Sequence, residues 1–256
     1  MNFQKITTIL SLLLLTACVT VTDSRFAKKA DPDKAVESYV ALGVGYLSSG
    51  DLIMARKKLD RALEIDPEYA AAHSAMAMYW LERGEPKLAK KEFLVALDLD
   101  EEHSPSNYQY GRYLLAVEAS ESACEYLQLA AEDVNYSARV LAYEDLGQCH
   151  QFFKKDLQAI DAYEKAWSLD ANSTVATLSL AKIYLANKNL RQSTRWFARF
   201  EKNISDHDVP HNADSLFFAI QLAKAKRDRN ALASYALKLK KRFPDSEEFK
   251  RFTNGR

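Results

Sequence analysis

The chain has 256 residues and carries 35 lysine and arginine residues against 35 aspartate and glutamate residues, so its formal net charge is zero. This balance gives no electrostatic footprint for nucleic acid or for a polybasic membrane patch, and we expect no nucleic-acid partner. Only 7 glycines and 6 prolines occur. A composition of this kind favours helices over disorder or a turn-rich sheet protein.

The N-terminus has the pattern of a lipoprotein signal peptide. A basic start at Lys5 precedes an apolar run over residues 9–15, and the sequence LTAC ends at Cys18. The run is shorter than the roughly 20 apolar residues of a membrane-spanning helix, but it suits the apolar region of a signal peptide. We therefore predict a signal peptide over residues 1–17 and lipid on Cys18. The alternative is a simple secretory signal with a chance cysteine.

Lipidation would place the mature protein outside the cytoplasm. Two or more acyl chains anchor a protein stably, whereas one does not. An aspartate after the cysteine would resemble the inner-membrane retention signal of enteric bacteria, and Val19 stands there instead. We expect a lipid anchor at the periplasmic face of the outer membrane, followed by a flexible tether over residues 18–30.

From residue 31 onward the sequence repeats itself. The first unit shows the helix-turn-helix spacing of a tetratricopeptide repeat (TPR), which has a period of about 34 residues. Its signature positions are Tyr39, Leu42, Gly43, Tyr46, Ala55, Leu59, Ala62 and Pro67. Four further units match in register, a sixth is degenerate, and the third-to-fourth step is two residues longer around 133–136. The pattern predicts an all-α TPR superhelix, or α-solenoid, over residues 31–256, with a C-terminal capping helix near Phe243–Phe252.

No catalytic motif accompanies the repeats. The sequence lacks a nucleophile elbow, a Walker loop and a dinucleotide-binding glycine pattern. We therefore expect a protein that is not an enzyme and has no metal and no cofactor apart from the covalent lipid on Cys18.

A groove for a partner is the expected functional feature, because TPR arrays bind a peptide or helix of another protein. The first helix of each repeat should line that groove, and in the first two units it offers an apolar strip. The alternative is that these residues pack against the tether or a neighbouring helix. The repeat frame places these residues in the groove: Val40, Val44, Leu47, Ser74, Met78, Leu81, Tyr108, Arg112 and Leu115.

Two cysteines remain once Cys18 is assigned to lipid. Cys124 and Cys149 form an even pair in an oxidising compartment and are a disulfide candidate. They fall on the second helix of repeat three and the first helix of repeat four, which pack side by side. The alternative is that both are small buried hydrophobic residues.

The chain resembles the TPR lipoproteins of type IV pilus biogenesis, the PilF/PilW-type pilotins. The segments that carry the resemblance are the opening at 30–67, NYQYGRYL at 107–114, GQC at 147–149 and FPDSEEFKRF at 243–252. One departure is Leu115, where the family often has a cysteine, so that Cys124 would have to serve in its place.

The resemblance implies an outer-membrane lipoprotein of a Gram-negative bacterium. Such a protein assists outer-membrane placement and multimer assembly of the pilus secretin, and its partner would be a secretin subunit. We expect the protein itself to be a monomer. The competing interpretation is a general periplasmic TPR lipoprotein adaptor that recruits cell-wall or outer-membrane assembly factors.

Overall fold

The computed structural model describes residues 31–255, and these residues form α-helices without any β-strand. The signal peptide, Cys18 and the tether lie outside the described residues. There are 13 α-helices in this part of the chain. Their bounds are α1 Pro32–Ser48, α2 Leu52–Ile65, α3 Ala70–Glu82, α4 Pro86–Leu99, α5 Ser104–Tyr113, α6 Ala123–Glu132, α7 Arg139–Phe152, α8 Asp156–Leu169, α9 Thr174–Ala186, α10 Leu190–Asp206, α11 Ala213–Lys226, α12 Arg229–Arg242 and α13 Glu247–Asn254.

Helices α1–α12 pack as six consecutive helix pairs, and α13 packs back on α11. The prediction of an all-α TPR solenoid is confirmed. The first helix begins where the sequence indicates, since the Asp31 carboxylate accepts the Asp33 backbone N–H at 3.2 Å and Pro32 takes the first helical position. The same capping is seen at Asp51, whose carboxylate accepts the Met54 N–H at 3.0 Å.

The repeat signature explains the core. In each of the first four repeats, one position of the second helix carries a fully buried small residue that lets the helices approach, and the position four residues later carries a large side chain that fills the space between them. The small residues are Ala55, Ala89, Ala123 and Ala159, and their large partners are Leu59, Phe93, Leu127 and Tyr163. The largest core cluster runs without interruption from α3 to α11.

The last helix covers the apolar end of the array. Phe249 and Phe252 of α13 pack against Leu216 of α11 and Leu239 of α12. A solenoid needs such a cover because its terminal unit would otherwise expose the face that continues the core.

The turn within repeat three and the junction between repeats three and four are both irregular. Residues Leu114–Glu118 form a π-helical turn, and Ala119 follows in the left-handed region with φ of 48°. The loop over 133–138 holds the two extra residues that the sequence places there. A disulfide joins Cys124 on α6 to Cys149 on α7, with Cα atoms 5.6 Å apart, and so fastens the two repeats across this junction.

Candidate partner-binding face

The first helices of successive repeats occupy corresponding places in the array, and we call the surface that they present the first-helix face. It is formed by α1, α3, α5, α7, α9 and α11, with direct contacts between α1 and α3, α3 and α5, and α9 and α11. Every groove residue predicted from the sequence lies on this face or at its edge. Their exposure differs greatly along the array.

In the first two repeats the apolar strip is largely closed by its own packing. Leu47 is only 8% exposed and belongs to the core cluster between α1, α2 and α3. Val40, Val44 and Met78 are half-buried against the same cluster. The prediction of an open strip is therefore wrong for Leu47. Because neighbouring first helices are in contact, the side chains between them pack against each other and leave no open strip for a partner.

Three other residues predicted for the groove are also closed by packing. Leu81 and Leu115 are half-buried and pack against the main core. Ser74 is buried in the first helix of repeat two. These three side chains therefore leave little apolar area that a partner could cover.

Tyr108 and Arg112 form a polar cluster with a residue of the next repeat. The buried Tyr108 hydroxyl donates to the Asp145 carboxylate at 2.9 Å, and Arg112 Nε lies 3.5 Å from the same oxygen. The Arg112 guanidinium carbon also lies 5.5 Å from the centre of the Tyr108 ring. Burial, followed by the Asp145 charge, raises the pKa of Tyr108. Tyr108 thus serves packing, whereas Arg112 is exposed and can meet a partner.

Further along the face the structure exposes apolar side chains that the sequence analysis missed. Leu141, Phe152 and Val175 are 52%, 56% and 50% exposed. Leu141 on α7 and Val175 on α9 occupy the same repeat position, one TPR period apart. The groove positions of the repeat frame fall on Glu144 and Gln148 in repeat four, so the frame alone does not mark Leu141 or Val175. These residues are the most accessible apolar part of the face and are a candidate contact surface.

A charged pair borders this surface on the side of the last repeat. Lys182 Nζ donates to both carboxylate oxygens of Asp214, at 2.7 and 2.6 Å. Both residues are half-buried, and a partly solvated pair of this kind contributes little stability, typically about 0–1 kcal/mol. It leaves the border polar but neutral overall.

The described residues contain no group of three or more histidine, cysteine, aspartate or glutamate side chains placed to hold a metal ion. Within the same part of the chain no helix is long and apolar enough to span a bilayer.

Comparisons with known proteins agree with this architecture. The tetratricopeptide repeat family matches residues 36–69. The type IV pilus assembly protein PilF of Pseudomonas aeruginosa is 34% identical over 239 residues, which is 93% of each chain. A protein of Haemophilus influenzae without an assigned function is 25% identical over 152 residues, covering 59% of this chain and 80% of its own.

Solved structures show the same fold. One from a functional characterization of Pseudomonas aeruginosa pilF has a TM-score of 0.78 at 33% identity and covers 88% of this chain and 99% of its own. PilW, described as a widely conserved type IV pilus biogenesis factor, has a TM-score of 0.73 and covers 85% of this chain and 98% of its own. Its identity of 20% shows the fold alone.

Proposed function

Because the chain belongs to the family of the type IV pilus assembly protein PilF, we propose that this TPR protein of type IV pilus biogenesis is a lipid-anchored pilotin for the pilus secretin. The observation that carries the proposal is the match to PilF at 34% identity over 93% of both chains. The match covers 239 residues, far more than residues 36–69 that match the tetratricopeptide repeat family. In this role the protein would aid outer-membrane placement and multimer assembly of the secretin through protein contacts.

The anchor is the first part of the proposal. Lipid on Cys18 would hold the array at the periplasmic face of the outer membrane. Residues 18–30 would then act as the tether. Fully extended, a segment of that length spans at most about 45 Å. The array would thus be kept close to the membrane into which secretin subunits insert.

The contact surface is the second part. An inserting secretin subunit has unpaired strand edges that are prone to aggregate until the ring closes. A scaffold that holds the subunit beforehand would limit that exposure. We assign the contact to the exposed apolar residues Leu141, Phe152 and Val175 of the first-helix face, with Arg112 beside them. The first two repeats are a poorer choice because their apolar side chains already pack together.

A deletion strain tests the pilotin role. Envelope fractions would be run on a gel without full denaturation, and the high-mass form of the secretin would be measured in the outer membrane. We expect that form to be lost in the deletion strain, to return with the wild-type gene, and to remain absent with Cys18→Ala. Normal secretin multimers in the deletion strain would contradict the proposal and favour the general periplasmic adaptor.

Surface variants test the contact separately from the anchor. Leu141→Glu combined with Val175→Glu should reduce the amount of multimer without unfolding the protein. The matched control is Ile53→Glu combined with Leu157→Glu, since those residues are 83% and 81% exposed but lie on the second helices α2 and α8. Circular dichroism of the purified variants verifies folding. Equal multimer yields in the two variants would show that the first-helix face is not the contact.

A further inference from the structure

A cleft of about 290 Å³ lies between α8 and α10, the second helices of repeats four and five. We call it the arginine cleft, because Arg195 and Arg199 of α10 line it. Its apolar wall is made by Trp167 of α8 and Trp196 of α10, whose ring centres are 5.2 Å apart with their planes at 86°. All its lining residues lie on second helices, so the cleft is separate from the first-helix face.

The two indole rings hold one of the arginines. The Arg199 guanidinium carbon lies 4.5 Å from the centre of the Trp167 ring and 4.2 Å from that of the Trp196 ring. Arg199 is half-buried as a result. Burial, followed by the charge of Arg195, lowers the pKa of the Arg199 guanidinium. An arginine side chain nevertheless stays protonated in a protein, so losing a proton does not relieve the repulsion between the two cations.

No carboxylate neutralises these two arginines. They stand one turn apart on α10, and like charges at this spacing destabilise a helix. Within the described chain, no carboxylate oxygen lies within 4.0 Å of a nitrogen of Arg195 or Arg199. Glu164 also lines the cleft and acts to raise the pKa of Arg199, but its carboxylate accepts the Tyr184 hydroxyl at 3.5 Å. Two arginines against one glutamate leave the cleft with an excess of positive charge.

A second arginine of this chain that lies on two aromatic rings has a counterion of its own. The Arg56 guanidinium carbon lies 5.6 and 5.2 Å from the centres of the Tyr79 and Trp80 rings. Asp60, one turn later on α2, accepts the Arg56 Nε–H at 2.7 and 2.8 Å. In the arginine cleft the side chain one turn away is Arg195 instead of an acid. The counterion that Arg56 has within its own helix is therefore left, in the cleft, for an external anion to supply.

The donors of the cleft suit a phosphate better than a single carboxylate. Each guanidinium is a rigid fork of N–H groups that binds two oxygens side by side. A carboxylate has two oxygens and satisfies one fork, whereas a phosphate monoester has three and carries a charge of about −1.5 to −2 at pH 7. Gln192, half-buried in the lining, adds a side-chain amide. The Ser168 hydroxyl, also in the lining, donates to the Lys165 carbonyl at 2.7 Å.

We propose that the arginine cleft binds a phosphate monoester between the guanidinium groups of Arg195 and Arg199. Trp167 and Trp196 keep Arg199 in position, and exposed Arg195 closes on the phosphate from the solvent side. A soluble phosphorylated molecule and a lipid headgroup present the same group, and the experiment below separates these two sources. The inference does not depend on the secretin contact or on the pilotin role.

The test follows tryptophan indole N–H signals by NMR, using the full-length protein in phosphatidylcholine nanodiscs. The chain has three tryptophans, so Trp80 is an internal control for Trp167 and Trp196. The probe is glycerol 3-phosphate, and the matched control is glycerate, which carries one carboxylate. We expect glycerol 3-phosphate to shift the signals of Trp167 and Trp196 saturably and to leave Trp80 unmoved. Glycerate should bind at least an order of magnitude more weakly.

Two results would overturn the proposal. The first is no shift, or equal shifts of all three tryptophans, because the probe would then not be held in the cleft. The second is equal affinity for glycerate, because the cleft would then suit an acidic side chain of a protein partner.

The source of the phosphate is tested by changing the lipid. Phosphatidic acid replaces part of the phosphatidylcholine, and phosphatidylserine at the same surface charge is the control for general repulsion of an anionic probe. Weaker binding of glycerol 3-phosphate with phosphatidic acid than with phosphatidylserine identifies a lipid headgroup as the occupant. Equal binding with the two lipids identifies a soluble phosphorylated molecule.

Variants locate the charge that matters. Arg195→Gln combined with Arg199→Gln should weaken glycerol 3-phosphate binding on the order of tenfold. Lys87→Gln combined with Lys91→Gln makes the same change in net charge at two exposed lysines one turn apart on α4, and should leave the affinity unchanged. Equal weakening by both pairs would overturn the proposal, because net charge would then attract the probe. Arg195→Gln alone keeps Arg199 on the indole rings and should still weaken binding several-fold, so it decides the question if the double variant does not fold.

Discussion

Replacing Gly111 with alanine should destabilise the protein, although alanine is the better helix former. Gly111 lies in α5, where that helix crosses α6. A methyl group at its Cα would stand 2.8 Å from Leu127 Cγ and 3.1 Å from both the Ala123 carbonyl oxygen and the Leu127 backbone nitrogen. Two of these three atoms are backbone, so they move only if the helices separate.

The expected change in the free energy of unfolding of Gly111→Ala is the sum of two opposing contributions. Overpacking of a tight core costs about 1–3 kcal/mol. The upper half of that range applies, because a helix and not a flexible side chain must shift. Alanine in place of glycine returns about 1 kcal/mol through helix propensity. The net loss in the free energy of unfolding is therefore about 1–2 kcal/mol.

Gly45 on α1 provides the control. No atom lies within 4 Å of the methyl group that alanine would add there. Gly45→Ala should therefore raise the free energy of unfolding by about 0.5–1 kcal/mol. Urea unfolding followed by far-UV circular dichroism measures both variants, with the slope compared to wild type because solenoids do not always unfold in one step. Stabilisation by both substitutions would refute the close approach of α5 and α6.

Two other predictions concern the disulfide and pH. The disulfide between Cys124 and Cys149 spans a sequence separation of 25 residues, so reduction should lower the free energy of unfolding by about 3.5 kcal/mol on the chain-entropy treatment. Urea unfolding with and without reductant measures this loss. In the variant with alanine at both cysteine positions, reductant should leave the free energy of unfolding unchanged. A loss below about 1 kcal/mol in the wild type would contradict the chain-entropy treatment. The Glu92 carboxylate lies 2.8 Å from His73 Nδ1 and raises the pKa of His73 above 6.5. The charged pair therefore stabilises the fold fully below about pH 6.5, and this stabilisation is lost as the pH rises through the raised pKa. Glu92→Gln should therefore cost more stability at about pH 5.5 than at about pH 8, and an equal cost at both would rule out the charged pair.

The fold could be predicted from the sequence because the residues that pack the helices of a TPR stand at fixed positions in each repeat. Gly111 and Ala123 recur where helices touch, and Leu127 fills the space between them, so the spacing alone defines the helix pairs. The longer step near residue 135 follows from the same frame. The frame permits a disulfide between Cys124 and Cys149 but does not require it, and the structure shows the bond. Periodicity is a reliable guide here because each repeat contacts only its neighbours.

The binding surface could not be predicted as well, because periodicity gives the face of a residue and not its exposure. Leu47 and Tyr108 have groove positions, yet they are buried by the next first helix or by a bond to Asp145. Leu141 and Val175 stand outside the positions that the frame assigns to the groove, yet they are exposed.

Two further features depend on tertiary geometry that no local pattern encodes. The first is the π-helical turn Leu114–Glu118, since nothing in the repeat spacing marks it. The second is the unpaired carbonyl of Asn107, which requires knowing every neighbour of that amide.

A photo-cross-link between the first-helix face and the secretin would test the central claim most directly. A photoreactive phenylalanine derivative would replace Val175 in one strain and Ile53, on α2, in another, and the cells would be irradiated while new secretin subunits are being made. The account predicts a cross-linked product with the secretin from position 175 and none from position 53. No product from position 175, or equal products from both positions, would contradict it.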